Sequence, residues 1–323
     1  MRQIRSFISV LVLALHLAPG GVSHAQGSSV GVTKLLLPFE GGSGRPVAES
    51  LAEGARLLLG RTVVVESRPG ASGRIAAMAL KRAAPDGTTI AQFPIVVPVM
   101  APLSFKEVPY TSRDFAPISQ IATYDLALAV PNAHPARTVA ELVDWLKKNP
   151  PQRFYGSPGA GTLPHFLGVM IAKAIEIDMT HVPYKGAAAL KVDLVEGTIP
   201  CGISVVSDLI DLHRAGRIRI LATSGEKRLS QLPDVATFAE QGYPRVVASG
   251  WVGIFAPAGT PRAIIDEWSA ALVTTVRSAA TRQRLINLGV EPTGTSPDEF
   301  AAIVEADVAR WAPIIKLSGF QAE

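Results

Sequence analysis

The stretch Tyr155-Gly-Ser-Pro-Gly-Ala-Gly-Thr-Leu-Pro-His165 constrains this chain more than any other. It follows a short β-type run, Arg153 to Gly156. It opens a segment whose apolar residues Phe166, Leu167, Met170, Ile171, Ala174 and Ile175 recur at helical spacing. Thr162 stands where an N-cap belongs, and Pro164 falls in the first turn, where a missing N–H costs nothing. A strand, a loop of small residues and a helix start together aim unpaired backbone N–H groups and the positive end of the helix dipole at one point. That arrangement suits an anion, carboxylate or phosphate alike, around Ser157, Gly159, Gly161 and Thr162. The same residues equally suit a tight strand-to-helix turn whose glycines only relieve strain.

A second unit repeats the pattern nearer the start of the chain. Leu35-Leu36-Leu37 reads as a buried strand, and Pro38-Phe39-Glu40-Gly41-Gly42-Ser43-Gly44-Arg45-Pro46 leads from it into a helix carrying Val47, Leu51, Ala55 and Leu58 on one face. Two such units facing each other form a cleft that grips one anion from both sides. Arg45, at the helix start, either adds a full positive charge to that cleft or pairs on the surface with Glu49 or Glu40.

The first 25 residues read as a targeting signal and not as part of the fold. Arg2 and Arg5 precede an apolar core over residues 7–17, and Ser23-His24-Ala25 is a small-x-small cleavage site. The core is too short to span a membrane, and no cysteine follows it to take a lipid anchor. The expectation is a soluble, exported chain beginning near Gln26. The net charge is +4, of which Arg2 and Arg5 supply two. No basic stripe with interleaved aromatics is present, which excludes nucleic acid as a partner. The one cysteine, Cys201, lies in an apolar strand-like run and reads as a buried, inert thiol. An exported chain without disulfides depends on large cores, and this length allows two.

Strand-like runs alternate with helical patterns almost throughout, which implies largely parallel sheets covered by helices. After the first unit come Thr62-Val63-Val64-Val65-Glu66, a helix over 74–83, and a strand over 88–93 that ends in Phe93, a candidate to line the cleft. A proline-rich, irregular passage covers 94–117. The strand over 126–130 and the strand Trp251-Val252-Gly253-Ile254-Phe255-Ala256-Pro257 read as two crossings between lobes. Residues 26–128 plus 250–323 then form lobe 1, and 129–249 form lobe 2. Thr138-Val139-Ala140-Glu141 and Ser296-Pro297-Asp298-Glu299 are capping boxes. The helix behind Ser296 aligns Phe300, Val304, Val308, Trp311 and Ile315. Ser207 is positioned to cap a helix over 208–215.

Pro38-Phe39 with Gly41-Gly42-Ser43, Val64-Val65-Glu66-Ser67-Arg68-Pro69-Gly70-Ala71, Ala84-Pro85-Asp86-Gly87, Tyr155-Gly156-Ser157 and Phe255-Ala256-Pro257-Ala258-Gly259-Thr260-Pro261 occur in this order along the whole mature chain. In these motifs the chain resembles the Bug family, the periplasmic solute receptors of tripartite tricarboxylate transporters. The resemblance implies an α/β type II periplasmic-binding-protein fold of two lobes with a ligand cleft between them. It implies a small organic carboxylate held between the two loops, at Phe39, Gly41, Gly42 and Ser43 on one side and Ser157, Gly159, Gly161 and Thr162 on the other. It also implies a membrane permease as partner. Two departures stand out: Arg45 replaces an aspartate usual in the first loop, and Ser204 replaces a frequent aspartate of a lobe-2 strand. Losing two acids and gaining a base disfavours a ligand with an amino group and favours a more anionic one.

Catalysis has little support. Ser157, His165 and Asp178 suggest a triad, yet Gly-Ser-Pro-Gly lacks the Gly-x-Ser-x-Gly spacing of a nucleophile elbow. His165 reads as a helix-start residue that bonds the backbone or packs on Tyr155. No metal-ligand spacing, P-loop or nucleotide fingerprint is present, so no metal and no cofactor is expected. The reading is a monomeric periplasmic receptor. Its alternative is a ligand-dependent signalling partner of a sensor kinase.

Overall fold

The computed structural model of the chain describes residues 31–40 and 44–322. The leader expected over residues 1–25 and the loop residues Gly41, Gly42 and Ser43 lie outside the described residues.

The chain begins with β1 (Val32–Leu37), α1 (Gly44–Leu59), β2 (Thr62–Ser67), α2 (Arg74–Lys81) and β3 (Thr89–Pro94). β1 pairs in parallel with β2 on one side and β3 on the other, so the strand order reverses at β1. Side chains alternate across a strand. Leu36 therefore joins the core under α2 with Ala76, Ala77 and Leu80, while Leu35 and Leu37 join the core under α1 with Val47, Leu51 and Ala55. A strand buried on both faces has no polar position to alternate with, which is why three leucines stand in a row.

The passage after β3, irregular by sequence, forms a π-turn over Val96–Met100 and the one-turn α3 (Ala101–Ser104) before entering β4 (Phe115–Pro131). At 17 residues β4 is the longest strand described, and it serves two sheet halves. Its first part, Phe115 to Asp125, pairs antiparallel with β9 (Ser249–Pro257), which pairs in turn with β3. Its last part, from Leu126, pairs with β7 (Gly202–Val205) and β8 (Ile218–Thr223). Between β4 and β8 run α4 (Val139–Lys148), β5 (Phe154–Ser157), α5 (Leu163–Ala174), β6 (Thr180–Pro183), α6 (Ala187–Glu196), β7 and α7 (Val206–Arg214). β5 lies between β6 and β7, parallel to both, so this half reverses its strand order at β5. Cys201 is buried, and burial pushes its thiol up to about 12.

The end of the chain returns to the first half as α8 (Arg262–Arg277), α9 (Ala279–Asn287), the short β10 (Glu291–Pro292) against β4, and α10 (Pro297–Ser318). Ser296 and Glu299 make both bonds of their capping box. Phe300, Val304, Trp311 and Ile315 are buried as their spacing implies. Trp251 Nε1 donates to Asp307 Oδ2 at 2.7 Å, pinning α10 across β9. One apolar cluster runs from Leu36 through Trp251 and Phe300 to Leu146 and Phe166, so the two lobes share a core along α10. α7 starts two residues earlier than expected, at Val206. Val205 is its N-cap and makes no side-chain capping bond, and Ser207 sits inside the first turn.

Candidate functional site: the cleft between the lobes

In a doubly wound sheet, helices leave on opposite faces where the strand order reverses, and the space outside the carboxyl ends of those strands stays open. Each half of this molecule has one such point: β1 with β3 in the first, β5 with β7 in the second. A cleft of about 550 Å³ opens between them. Leu37, Pro38, Phe39 and Gly44 line it from the end of β1 and the start of α1, and Gln92 and Pro94 from the end of β3. Tyr124 and Val252 form its floor on the crossing strands. Val205, Ser207 and Asp208 form the wall at the start of α7, and Asn287, Leu288 and Val290 close one side. A Cβ on Gly289 would lie 2.6 Å from Ser207 Cβ, so the turn after α9 rests directly on α7. The volume suits a small organic ligand.

The residues expected at the site fall into three groups. Phe39 lines the cleft, 41% exposed, with its ring beside Gly73. Gly41, Gly42 and Ser43 are outside the described residues. Arg45 and Phe93 point elsewhere. Arg45 is exposed, donates to Ser67 Oγ at 2.8 Å, and pairs with Glu49 at 3.8 Å. Phe93 is fully buried among Phe115 and Phe255, with ring centroids 5.5 and 5.9 Å away. The alternation of β3 turns Gln92 to the cleft in its place.

The second loop is bonded within itself. Ser157 is fully buried, and its Oγ donates to Gly159 O at 3.1 Å. Ser157 Oγ is also 2.7 Å from His181 Nε2, and the direction of that bond follows the tautomer of the ring. Asp178 lies at the opposite end of β6, against Arg153 and Phe154. Thr162 Oγ1 caps α5 by accepting from His165 N at 3.4 Å and donates to Gly159 O at 2.7 Å. Gly161, at φ +71°, donates its N–H to His165 Nδ1 at 3.1 Å. Tyr155 Oη donates to His165 O at 2.8 Å. The His165 and His181 rings stack at 3.9 Å, and Phe320 meets His165 edge-on at 5.3 Å. Burial, and to a smaller extent the His181 ring, holds His165 down to about 4; burial does the same to His181. Ser157, Gly159, Gly161 and Thr162 are not among the residues that line the open space.

Three polar residues escaped the sequence reading. Gln92 Nε2 donates to Gly44 O at 2.8 Å, tying β3 to the start of α1. Asp208 lines the cleft and accepts from Ser204 Oγ at 2.6 Å. Ser204 is fully buried behind it, so the carboxylate absent at 204 is present one helical turn later. Tyr124 crosses over Gly250, where a Cβ would meet its ring at 2.2 Å, and burial pushes its hydroxyl pKa upward. A lone amide in an otherwise apolar strand was the available signal for Gln92. Asp208 carried none, since an acid in a first helical turn is common. Among the described residues, no three His, Cys, Asp or Glu side chains are grouped to hold a metal ion.

The family model described as the tripartite tricarboxylate transporter family receptor matches residues 47–320. A Pseudomonas sp. (strain P51) protein, described as the UPF0065 protein in the tcbD-tcbE intergenic region, is 30% identical over 87% of this chain and 84% of its own length. Among solved structures, R. palustris Rpa4515 with adipate superposes with a TM-score of 0.78 at 30% identity, covering 90% of this chain and 98% of that one. The periplasmic binding protein BugD gives 0.74 at 29% identity over 90% and 99%. Fold, cleft and sequence relationship converge, and the chain belongs to the tripartite tricarboxylate transporter receptor family, the family of the Bug proteins.

Proposed function

We propose that this protein is a periplasmic receptor that closes around a small organic carboxylate in the cleft and delivers it to a tripartite tricarboxylate-type permease. The observation that carries this reading is the cleft itself. It lies where the open strand ends of two α/β halves face each other across two connecting strands. A relative at 30% identity was solved with adipate, a small carboxylate, which supports the ligand class. In this reading the carboxylate sits at the first turn of α1, against Phe39, Gly41, Gly42 and Ser43, where backbone N–H groups and the helix dipole favour an anion. Residues 26–128 plus 250–323 move as one lobe and 129–249 as the other. Closure brings the edge formed by Ser157, Gly159, Gly161 and Thr162 toward the ligand. Ligand contacts made only in the closed form then stabilise that form. Residues 1–25 act as a cleaved export signal. Among the described residues, no helix is long and apolar enough to cross a membrane.

The test is thermal unfolding of the purified protein against a panel of mono-, di- and tricarboxylates, hydroxy acids and amino acids. A ligand at a hundred times its Kd adds about 2.7 kcal/mol of stability. In a chain of this size that raises the midpoint by several degrees. A carboxylate that gives this shift, and whose uptake stops in cells lacking the gene, supports both the ligand class and delivery. Flat midpoints across the panel, with mass spectrometry finding no retained ligand, would overturn the reading.

A further inference from the structure

The last residues of the chain reach from one half of the molecule to the other. α10 ends at Gly319, whose φ of +65° turns the chain back on itself. Ala322 then pairs beside the end of α3: its N–H donates to Ser104 O at 2.8 Å, and its O accepts from Lys106 N at 3.1 Å. The other end of this short segment is held by α10, which Trp251 fixes to β9 through Asp307 and Phe300. Between the two ties, half-buried Phe320 covers the second loop. Its ring lies 2.8 Å from where a Cβ on Gly161 would stand. It meets His165 and Phe166 edge-on at 5.3 and 6.0 Å, a favoured aromatic geometry. Phe320 thus backs both partners of the bond from Gly161 N–H to His165 Nδ1. Only Gln321 separates Phe320 from Ala322, which leaves the ring little slack to follow a loop that moves.

We propose that residues 319–322 are an autoinhibitory strap: Phe320 holds the second loop in its self-bonded form and must leave before that loop takes part in ligand binding. The inference rests on the receptor reading above, in which closure brings Gly159, Gly161 and Thr162 toward the carboxylate. In the strapped form the Gly161 N–H is spent on His165, and the hydroxyls of Ser157 and Thr162 are spent on Gly159 O. None of these residues lines the open space. An N–H serves a ligand only after its internal acceptor lets go. The acceptor here is the His165 ring, which stacks on His181 and Phe166 and meets Phe320 at its edge. Of these three neighbours, only Phe320 comes from the other half, so movement of the halves against each other acts on it directly. A ligand that needs the released loop binds with an affinity reduced by the fraction of molecules in which the strap is off. The strap sets that fraction. Weakening it should therefore tighten binding, a direction that the loss of a merely structural contact does not produce.

Amide hydrogen exchange, followed residue by residue by NMR on the purified protein with no acid added, tests the strap directly. Phe320→Ala removes the ring. Ala322→Pro keeps the ring and removes the N–H that ties the tail to Ser104 O. In both variants the Gly161 amide should exchange about tenfold or more faster, with the amides of β5 and the middle of α5 unchanged. Acceleration spread evenly over β5 and α5, or none at Gly161, would overturn the strap. If Ala322→Pro misfolds, Phe320→Ala decides alone. Calorimetry with succinate, adipate, citrate and the other acids of the panel reads the consequence. Each acid that binds the unaltered protein should bind both variants roughly threefold to tenfold tighter. Unchanged or weaker binding would overturn the inhibitory role and leave the carboxylate receptor standing. No binding by any of the proteins across the panel would overturn the receptor reading and the inhibition with it, and the exchange result would still decide whether Phe320 holds the loop.

Discussion

The two strand–loop–helix units look alike in sequence and do different things in the fold. The first opens onto the cleft: Phe39 is exposed there, and Gly44 is held from behind by Gln92. The second closes on itself, because Ser157, Gly161 and Thr162 all bond within the loop or to His165 and His181. Much of the difference comes from His181 and Phe320, which lie outside the loop in sequence. Phe320, beyond the end of α10, lies 2.8 Å from where a Cβ on Gly161 would stand, and His181 stacks on the His165 ring that takes the Gly161 N–H. Loop composition specifies a helix start with exposed N–H groups; the neighbours decide whether a ligand or the protein uses them.

The sharpest way to break this comparison is to add a side chain to each loop. At Gly161 the backbone is left-handed and Phe320 blocks the Cβ, so Gly161→Val should destabilise the fold by about 3 kcal/mol. Phe320→Ala in the same chain should recover the steric part but not the backbone strain. At Gly44 the nearest atom is Gln92 Nε2 at 3.7 Å from a Cβ, an ordinary contact, so Gly44→Ala should change stability by less than about 0.5 kcal/mol. Urea denaturation of the four proteins checks this. Equal losses at the two glycines would remove the distinction between an internal loop and an open one.

Acid should act on the second loop before the first. His165 and His181 ordinarily titrate near 6.5 and are held near 4 in the folded chain, so the unfolded chain binds protons first as pH falls. Their contribution to stability is fully present above about pH 6.5 and is lost progressively toward pH 4. Between pH 7 and pH 5 the loss should be on the order of 2 kcal/mol, allowing for solvent screening of the half-buried His181 ring. Asp125 and Asp307, whose carboxyls burial pushes up, work in the opposite sense. The measurement is therefore the difference between the unaltered protein and His165→Asn with His181→Gln, in which both hydrogen bonds have substitutes and neither ring titrates. The pair variant should lose less stability on acidification. Identical pH dependence would mean the stacked rings are not what the acid reaches.

A smaller effect separates capping from binding. Thr162→Ala removes the cap of α5 and should cost about 1 kcal/mol of stability with little change in ligand affinity. Phe39→Ala, at an exposed cleft residue, should do the reverse, weakening ligand binding severalfold while leaving the denaturation midpoint almost unmoved. Calorimetry and urea melts on the same two variants would expose any crossover.

These contrasts mark how much was legible in the chain itself. The alternation of strands and helices, the two loops, the caps at Thr138, Thr162 and Ser296, and the ends of both crossing strands all follow from spacing and local chemistry. The first part of β4 does not. Its pairing register shifts between Pro117 and Ser119 and again between Gln120 and Ala122, and its residues are buried without a strict alternation to read. α9 escaped because it buries only Leu285. The site suffered more, for a general reason. Glycine and serine announce a loop, but Gln92, near the end of β3, and Asp208, in the first turn of α7, come to line one cleft only through tertiary folding. Phe93 and Gln92 are neighbours on one strand, and a single step of alternation separates the core from the cleft.

Arg45 gives the smallest expected effect and the most informative one. Its guanidinium is exposed, spans Ser67 and Glu49, and is absent from the cleft lining. Exposed pairs of this kind contribute roughly 0–1 kcal/mol, so Arg45→Ala should shift the urea midpoint barely and change ligand affinity less than about twofold. A charge at the mouth of α1 could still steer an anion from a distance, and salt separates the two effects. Steering appears as a lower association rate at low ionic strength that vanishes at high salt, with dissociation unchanged. A tenfold loss of affinity that persists in high salt would mean that Arg45 leaves Glu49 and Ser67 when the lobes close and reaches the carboxylate itself. The first loop would then supply a side-chain charge as well as backbone N–H groups, and its difference from the second loop would be larger than the contacts of Arg45 described above imply.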